Sequence, residues 1–245
     1  MRIHPVTSSE AWLAARKELL KKEKEFSRQR DELTQMRRDL PWEKVEKEYT
    51  FDGHDGKESL EGLFGDSSQL IIYHFMFGPD WQEGCKICSM FGDHYDPLVI
   101  HLKHRDATLV TVSRAPLRKI NAFKKRMGWR FKWVSSLDSD FNWDYHVSFT
   151  PEEVEAGQVY YNYKEGAKFP SDEGPGISSF YKDRNGEVFH TYSSYGRGLE
   201  NFLGIYNFLD IVTKGRDEDE LPYGMAWVRH HDQYDDDSVV DPYAK

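Results

Sequence analysis

Cysteine is nearly missing from this chain: among 245 residues there are two, Cys85 and Cys88. Two thiols cannot supply the disulfide framework of a small secreted domain. The fold must therefore rest on an apolar core, which a chain of this length can bury in one or two domains. Long hydrophobic runs are also lacking, and no stretch approaches the roughly 20 apolar residues of a membrane-spanning helix. The opening Met-Arg-Ile-His-Pro-Val-Thr-Ser-Ser-Glu has none of the apolar centre of a secretory signal. No Gly-rich phosphate loop and no Gly-x-Ser-x-Gly elbow is present, so nucleotide and esterase chemistry have no support. A basic field is absent as well: 33 Lys and Arg face 42 Asp and Glu, a net charge of −9. That balance argues against nucleic acid as a partner. The expectations are a cytoplasmic protein in a reducing compartment, with no membrane partner, no cofactor and no resident metal.

Charge is unevenly spread. Residues 1–50 carry 12 basic and 10 acidic side chains, whereas residues 215–245 carry 3 and 9. The acidic end reads as a solvated tail. At the other end, Thr7-Ser8-Ser9-Glu10 has capping-box spacing, and helix formers follow to Leu40 without Gly or Pro. Trp12, Leu19, Phe26, Leu33 and Leu40 recur every seventh residue, but the companion heptad positions are mostly polar or charged. One long helix is expected over residues 1–41, its apolar line docked on the body of the same subunit or of a twin. A homodimer through this helix is one expected partnership.

Between these ends, residues 45–51 alternate like a strand, and Asp52-Gly53-His54-Asp55-Gly56 signals a turn. Residues 70–77, Leu-Ile-Ile-Tyr-His-Phe-Met-Phe, read as a buried strand, and Ala107–Ser113 as another. Residues 116–127 place Leu117, Ile120, Phe123 and Met127 on one helical face closed by Gly128. A short strand is expected at 131–134, a polar insertion at 150–176, and a hairpin around Asn185-Gly186. Residues 198–212 read as a last amphipathic helix. This order predicts an α/β fold: a mixed sheet covered by helices on both faces, over roughly residues 42–214.

The two cysteines fall at a telling place. After the strand at 70–77 comes the loop Gly78-Pro79-Asp80-Trp81-Gln82-Glu83-Gly84, and a helix is expected to start at Cys85. Unpaired N–H groups and the dipole at a helix start favour thiolate over thiol. The second sulfur, one turn on, can close a disulfide. A Cys-x-x-Cys at a strand-to-helix junction is the thioredoxin arrangement. Cys85 is then the exposed nucleophile and Cys88 the resolving thiol. Lys86 favours the thiolate; Asp80 and Glu83 oppose it or move protons. The bland alternative is two buried thiols that never react.

The segment Tyr73-His74-Phe75-Met76-Phe77-Gly78-Pro79-Asp80-Trp81 with Gly84-Cys85-Lys86-Ile87-Cys88-Ser89 resembles bacterial domain-of-unknown-function family 899. Val112-Ser113-Arg114-Ala115-Pro116, Arg126-Met127-Gly128-Trp129-Arg130-Phe131, Phe189-His190-Thr191-Tyr192-Ser193 and Lys214-Gly215-Arg216-Asp217 extend the likeness to nearly the whole chain. The resemblance implies a thioredoxin-like fold and a dithiol–disulfide oxidoreductase. Its catalytic pair would be Cys85 and Cys88, with Pro79, Asp80, Trp81, Glu83, Lys86 and Arg114 shaping the site. The implied substrate is a protein or small-molecule disulfide, or a peroxide. A wider likeness is to peroxiredoxins, through Phe51-Asp52-Gly53, Ser59-Leu60 and Phe64-Gly65. Where those enzymes place Thr or Ser three residues before the reactive cysteine, this chain has Gln82. It also departs from thioredoxins, with Trp81 four residues before Cys85 and Pro175 the nearest candidate for the proline facing the dithiol.

Three other readings compete. One is a peroxide reductase at the same site, and another a non-catalytic redox sensor or binding module. The third is zinc, because Cys85-x2-Cys88-x12-His101-x2-His104 nearly reproduces a Cys2His2 pattern with Leu98 at a core-like position. Its histidines are too close for the three-to-five-residue spacing such sites use. His74 and His94 complete a His-bearing stretch that reads as strand and helix faces, in which Pro97 should kink or divide the helix, with Asp96 as cap. The aromatic residues from Trp129 to Phe149 read mainly as core.

Overall fold

Thirty residues without Gly or Pro form helix α1, Ser9–Arg38. Its cap is Ser8, whose hydroxyl accepts the Ala11 N–H at 3.3 Å, one position along from the expected Thr7 box. Arg37 and Arg38 in the last turn suit the negative end of the helix dipole, and the helix ends before Pro41. None of its residues is buried: Trp12 and Phe26 are 59% and 66% exposed. The computed structural model describes residues 4–234, in two units, Met1–Trp42 and Glu43–Lys245.

The second unit holds β1 (Glu43–Lys44), β2 (Thr50–Gly53), β3 (Gly56–Ser59), α2 (Leu60–Leu63), β4 (Gln69–His74), α3 (Lys86–Gly92), α4 (Tyr95–Lys103), β5 (Ala107–Ser113) and α5 (Leu117–Arg126). There follow β6 (Lys132–Ser135), α6 (Phe141–Asp144), α7 (Pro151–Ala156), β7 (Val159–Tyr161), β8 (Lys164–Ala167), β9 (Gly176–Lys182) and β10 (Val188–Tyr195). A 3-10 turn (Gly196–Phe202) and α8 (Gly204–Leu209) close the regular structure. Eight strands make one sheet in the order β1-β10-β9-β4-β5-β6-β2-β3. Strand β4 lies parallel to β5, reached through α3 and α4, and antiparallel to β9 on its other side. Strand β6 adds parallel to β5. The expected pairing of the two apolar strands is therefore present, in a thioredoxin-like mixed sheet.

Both faces of the sheet are covered, which explains why its central strands are almost continuously apolar. Along β4, Leu70 and Ile72 enter one cluster with Phe51, Phe64, Val110 and Phe141. Tyr73, and Phe75 just beyond the strand, enter the opposite cluster with Phe77, Phe91, Phe123, Trp133 and Cys88. Period-two alternation thus sends the thiol side and the histidine side of the strand to different faces. His74 is buried beside Phe141 and Tyr145, and its Nε2 lies 2.8 Å from the Ser178 hydroxyl. It is a core residue, away from the cysteines.

Three expectations need correction. Residues 45–51 are not one strand: Glu43 and Lys44 pair with β10 at one edge, and Thr50–Gly53 with β3 and β6 near the other. A segment crossing from edge to edge cannot pair throughout. The helical stretch after the dithiol is divided, as Pro97 implies, into α3 and α4, with Pro97 in the first turn of α4, where a missing N–H is harmless. Asp96 does not cap that helix; its carboxylate accepts the backbone N–H groups of Arg130 and Phe131 at 3.0 and 2.6 Å. The closing helix at 198–212 is instead a 3-10 turn and the short α8, parted at Leu203, whose backbone is extended.

The stretch 150–176 holds α7 and the small β7–β8 hairpin around its own cluster of Val147, Phe149, Val159, Tyr161 and Tyr195. Past residue 214 the chain is irregular but not simply solvated, since Val228 and His230 are buried. The expected tail beyond Tyr234 lies outside the described residues. No helix among those described is long and apolar enough to cross a membrane.

Candidate redox site

Close contacts at both ends fix the loop that carries the thiols. A Cβ at Gly78 would stand 2.8 Å from the Trp81 ring, so the loop folds back on itself only with glycine there. The Trp81 indole N–H donates to Asp172 at 3.1 Å. From α5, the Lys119 ammonium donates to the carbonyls of Pro79 and Trp81 at 2.8 and 2.9 Å. At the far end, a Cβ on Gly84 would lie 2.7 Å from Phe75 and 2.8 Å from Phe123. The Gly84 carbonyl accepts from His230 Nε2 at 2.8 Å, so that nitrogen carries the proton. The Cys85 N–H donates to the Met76 carbonyl at 3.0 Å, which seats Cys85 as the residue before α3.

This packing leaves no room for a methyl group. Gly84→Ala is expected to lower stability by about 1–3 kcal/mol through overpacking, read from urea denaturation. A change under about 0.5 kcal/mol would mean that the two rings yield freely.

Cys85 is half-buried and Cys88 is buried. Their acidities diverge. The Cys88 thiol donates to the Cys85 sulfur; burial opposes, and the N–H groups of Cys88 and Ile87 and the charge of Lys86 add to the first effect, so Cys85 falls to about 7. Burial, and the neighbouring Cys85 sulfur, push Cys88 well above the ordinary thiol range. The buried Tyr73 hydroxyl has no oxygen or nitrogen partner, and it acts on Cys88 as a weaker, opposing influence. Near neutral pH the pair thus holds one readily ionised thiol and one protonated reserve. Since the Cys88 thiol is the leading cause, Cys88→Ala is expected to return Cys85 toward the ordinary value of about 8.5, measured by the pH dependence of its alkylation. An unchanged midpoint would assign the shift to the backbone and Lys86.

Cys85 and the buried Cys88 both line a cleft of about 660 Å³, walled by Tyr73, Met76, Pro175, Leu199 and Met225 among others. Pro175 immediately precedes β9, the place the sequence pointed to for a proline facing the dithiol. The remaining residues singled out by sequence fall in different surroundings. Lys86 lies beside Cys85, and Pro79 and Trp81 form the loop held by Lys119. Asp80 is exposed. Glu83 pairs with Arg126, which also holds Asp232 at 2.7 Å. Arg114 is not among the residues lining the cleft; it binds the buried Glu173 at 2.6 Å and lies 4.3 Å over the Trp143 ring.

Sequence reading gave no role to Lys119, Arg126, Arg216, Glu218, Met225 or His230. Arg126 and Arg216 do stand in the quoted motifs, which was the one available signal. No group of three or more His, Cys, Asp or Glu is placed to hold a metal among the described residues, and His101 and His104 are exposed on and after α4.

The sequence pattern of a bacterial protein family of unknown function (DUF899) matches residues 1–234, and the chain belongs to that family. No curated protein matches it. Among solved structures, a mutant of peroxiredoxin Q from Xanthomonas campestris is similar with a TM-score of 0.42 at 13% identity, over 65% of this chain and 90% of that one. Peroxidoxin BcpB from Mycobacterium tuberculosis gives 0.43 at 14%, over 66% and 92%. A putative thiol:disulfide interchange protein DsbE from Chlorobium tepidum gives 0.39 at 14%, over 66% and 95%.

Proposed function

We propose that this member of DUF899 is a thiol–disulfide oxidoreductase with Cys85 as nucleophile and Cys88 as resolving thiol. One observation carries the reading: a half-buried thiol lowered to about 7 opens into a cleft beside a buried partner thiol that donates to it. The Cys85 thiolate attacks one sulfur of a disulfide, the S–S bond breaks, and the leaving thiolate takes a proton from solvent. Cys88 then loses its proton and attacks the Cys85 sulfur, releasing the second thiolate. The dithiol is oxidised and the substrate reduced to two thiols. A reducing cytoplasm suits a site that must be returned to the dithiol state.

Alkylation of the reduced protein as a function of pH tests this. Cys85 is expected to react with a midpoint near 7, while Cys88 stays protected. If neither thiol outpaces a free reference thiol at neutral pH, the catalytic reading falls. Association through the apolar line of α1 belongs to the same proposal. Sedimentation should show a concentration-dependent dimer that loses its stability when residues 1–41 are removed; a monomer at every concentration would remove this part.

A further inference from the structure

The walls of the dithiol cleft contain four charged residues, Arg197, Glu200, Arg216 and Glu218, and each is already engaged. The Arg216 guanidinium donates to Asp210 at 2.7 and 2.8 Å and to Glu200 at 2.9 Å, and it lies 3.7 Å over the Tyr206 ring. Arg197 shares Glu200 at 2.8 Å. Glu218 accepts three hydrogen bonds through one oxygen: from the Tyr206 hydroxyl, the Met225 N–H and the Trp227 indole, at 2.8, 2.9 and 2.7 Å. The two cations and two carboxylates of the wall balance, so it offers no net charge to a carboxylate or an ammonium. A charged ligand would enter apolar surroundings unpaired, at a large desolvation cost.

Apart from the tyrosines Tyr73, Tyr206 and Tyr223, the side chains of the remaining wall are apolar, among them Met76, Ile87, Phe91, Leu199 and Met225. Met225 stands out. Its φ is +66°, in the left-handed region that side-chain-bearing residues rarely adopt. The Glu218 carboxylate on its N–H holds it there, and the side chain faces the cleft of the dithiol. A strained backbone whose N–H is held by the same carboxylate that gathers Tyr206 and Trp227 points to a use for the side chain it presents. An unbranched thioether can mould itself to varied apolar shapes.

We infer that the dithiol cleft selects uncharged, apolar disulfides, and that Met225, set by Glu218, is the residue that determines this preference. The inference rests on the oxidoreductase reading and names the substrate class of that same site. Charged disulfides such as that of glutathione are disfavoured.

Single-turnover oxidation of the reduced full-length chain decides the matter. The probes are dipropyl disulfide (apolar), dithiodiglycolate (anionic) and cystamine (cationic), each rate divided by its rate with dithiothreitol at the same pH. The normalised rate should be at least about tenfold higher for dipropyl disulfide than for either charged probe, the equivalent of burying one or two methylene groups. Met225→Gly, which relieves the backbone strain but removes the thioether, should cut that preference. Met225→Lys should reverse it in favour of dithiodiglycolate. Equal normalised rates for all three probes, or a preference untouched by both variants, would overturn the inference while leaving the oxidoreductase reading intact. Failure of every probe to exceed its dithiothreitol rate would overturn that reading, and the inference with it.

Discussion

Arg114→Met is expected to cost about 1.4 kcal/mol more stability near pH 8 than near pH 5, one pH unit of proton linkage, on top of a loss of packing that does not vary with pH. The reason is Glu173. It is 1% exposed and bonded to Arg114 and to the Ser148 hydroxyl. Burial raises it to about 7 even though Arg114 and the Ser148 hydroxyl pull the other way. In the unfolded chain the same carboxyl loses its proton near 4.3. Between those two values the folded state holds a proton that the unfolded state releases, so this group's contribution falls as pH rises to about 7, then levels off. Removing the guanidinium raises the folded value further. The decline then continues above pH 7 at roughly 1.4 kcal/mol per unit, and the difference from the parent opens there. Below it, both proteins carry a neutral Glu173, and the variant loses mainly its packing on Trp143. Urea denaturation across this pH range is the measurement. A penalty independent of pH would show that Glu173 is ionised throughout.

Cys88→Ser is expected to reduce multiple-turnover disulfide reduction by several orders of magnitude while leaving the first attack in place. The mixed disulfide on Cys85 has no internal thiol to resolve it, so it should accumulate and be visible by intact-mass analysis. Cys85→Ser should form no adduct at all, because the remaining thiol is buried and held well above the ordinary range. An adduct on Cys88 in that variant would reverse the assigned roles. Full turnover in the Cys88→Ser protein would remove Cys88 from the reaction.

The sequence by itself determined the local frame of this site. Period-two alternation in residues 69–77, the Gly-bearing loop and the two-residue gap between the thiols are short-range matters of sterics and hydrogen bonding. They put Cys85 ahead of α3 and opposed His74 to the thiol face. The parallel pairing of β4 with β5 was legible for the same reason: two largely apolar runs joined by helical sequence lie side by side in a sheet covered on both faces. Tertiary structure decided what surrounds the sulfurs. The walls of the cleft come from residues 169–175, 196–206 and 216–225, and His230 reaches Gly84 across 146 positions of chain. Arg114 and Glu173 are 59 apart, and only the packing of their segments brings them into one ion pair. The polarity of Glu218, read locally, belongs to an acidic tail. In the fold its one oxygen gathers three donors and sets Met225. Such partnerships come from burial, which no local pattern records: a charge that leaves water must find its counterpart wherever the chain has brought one.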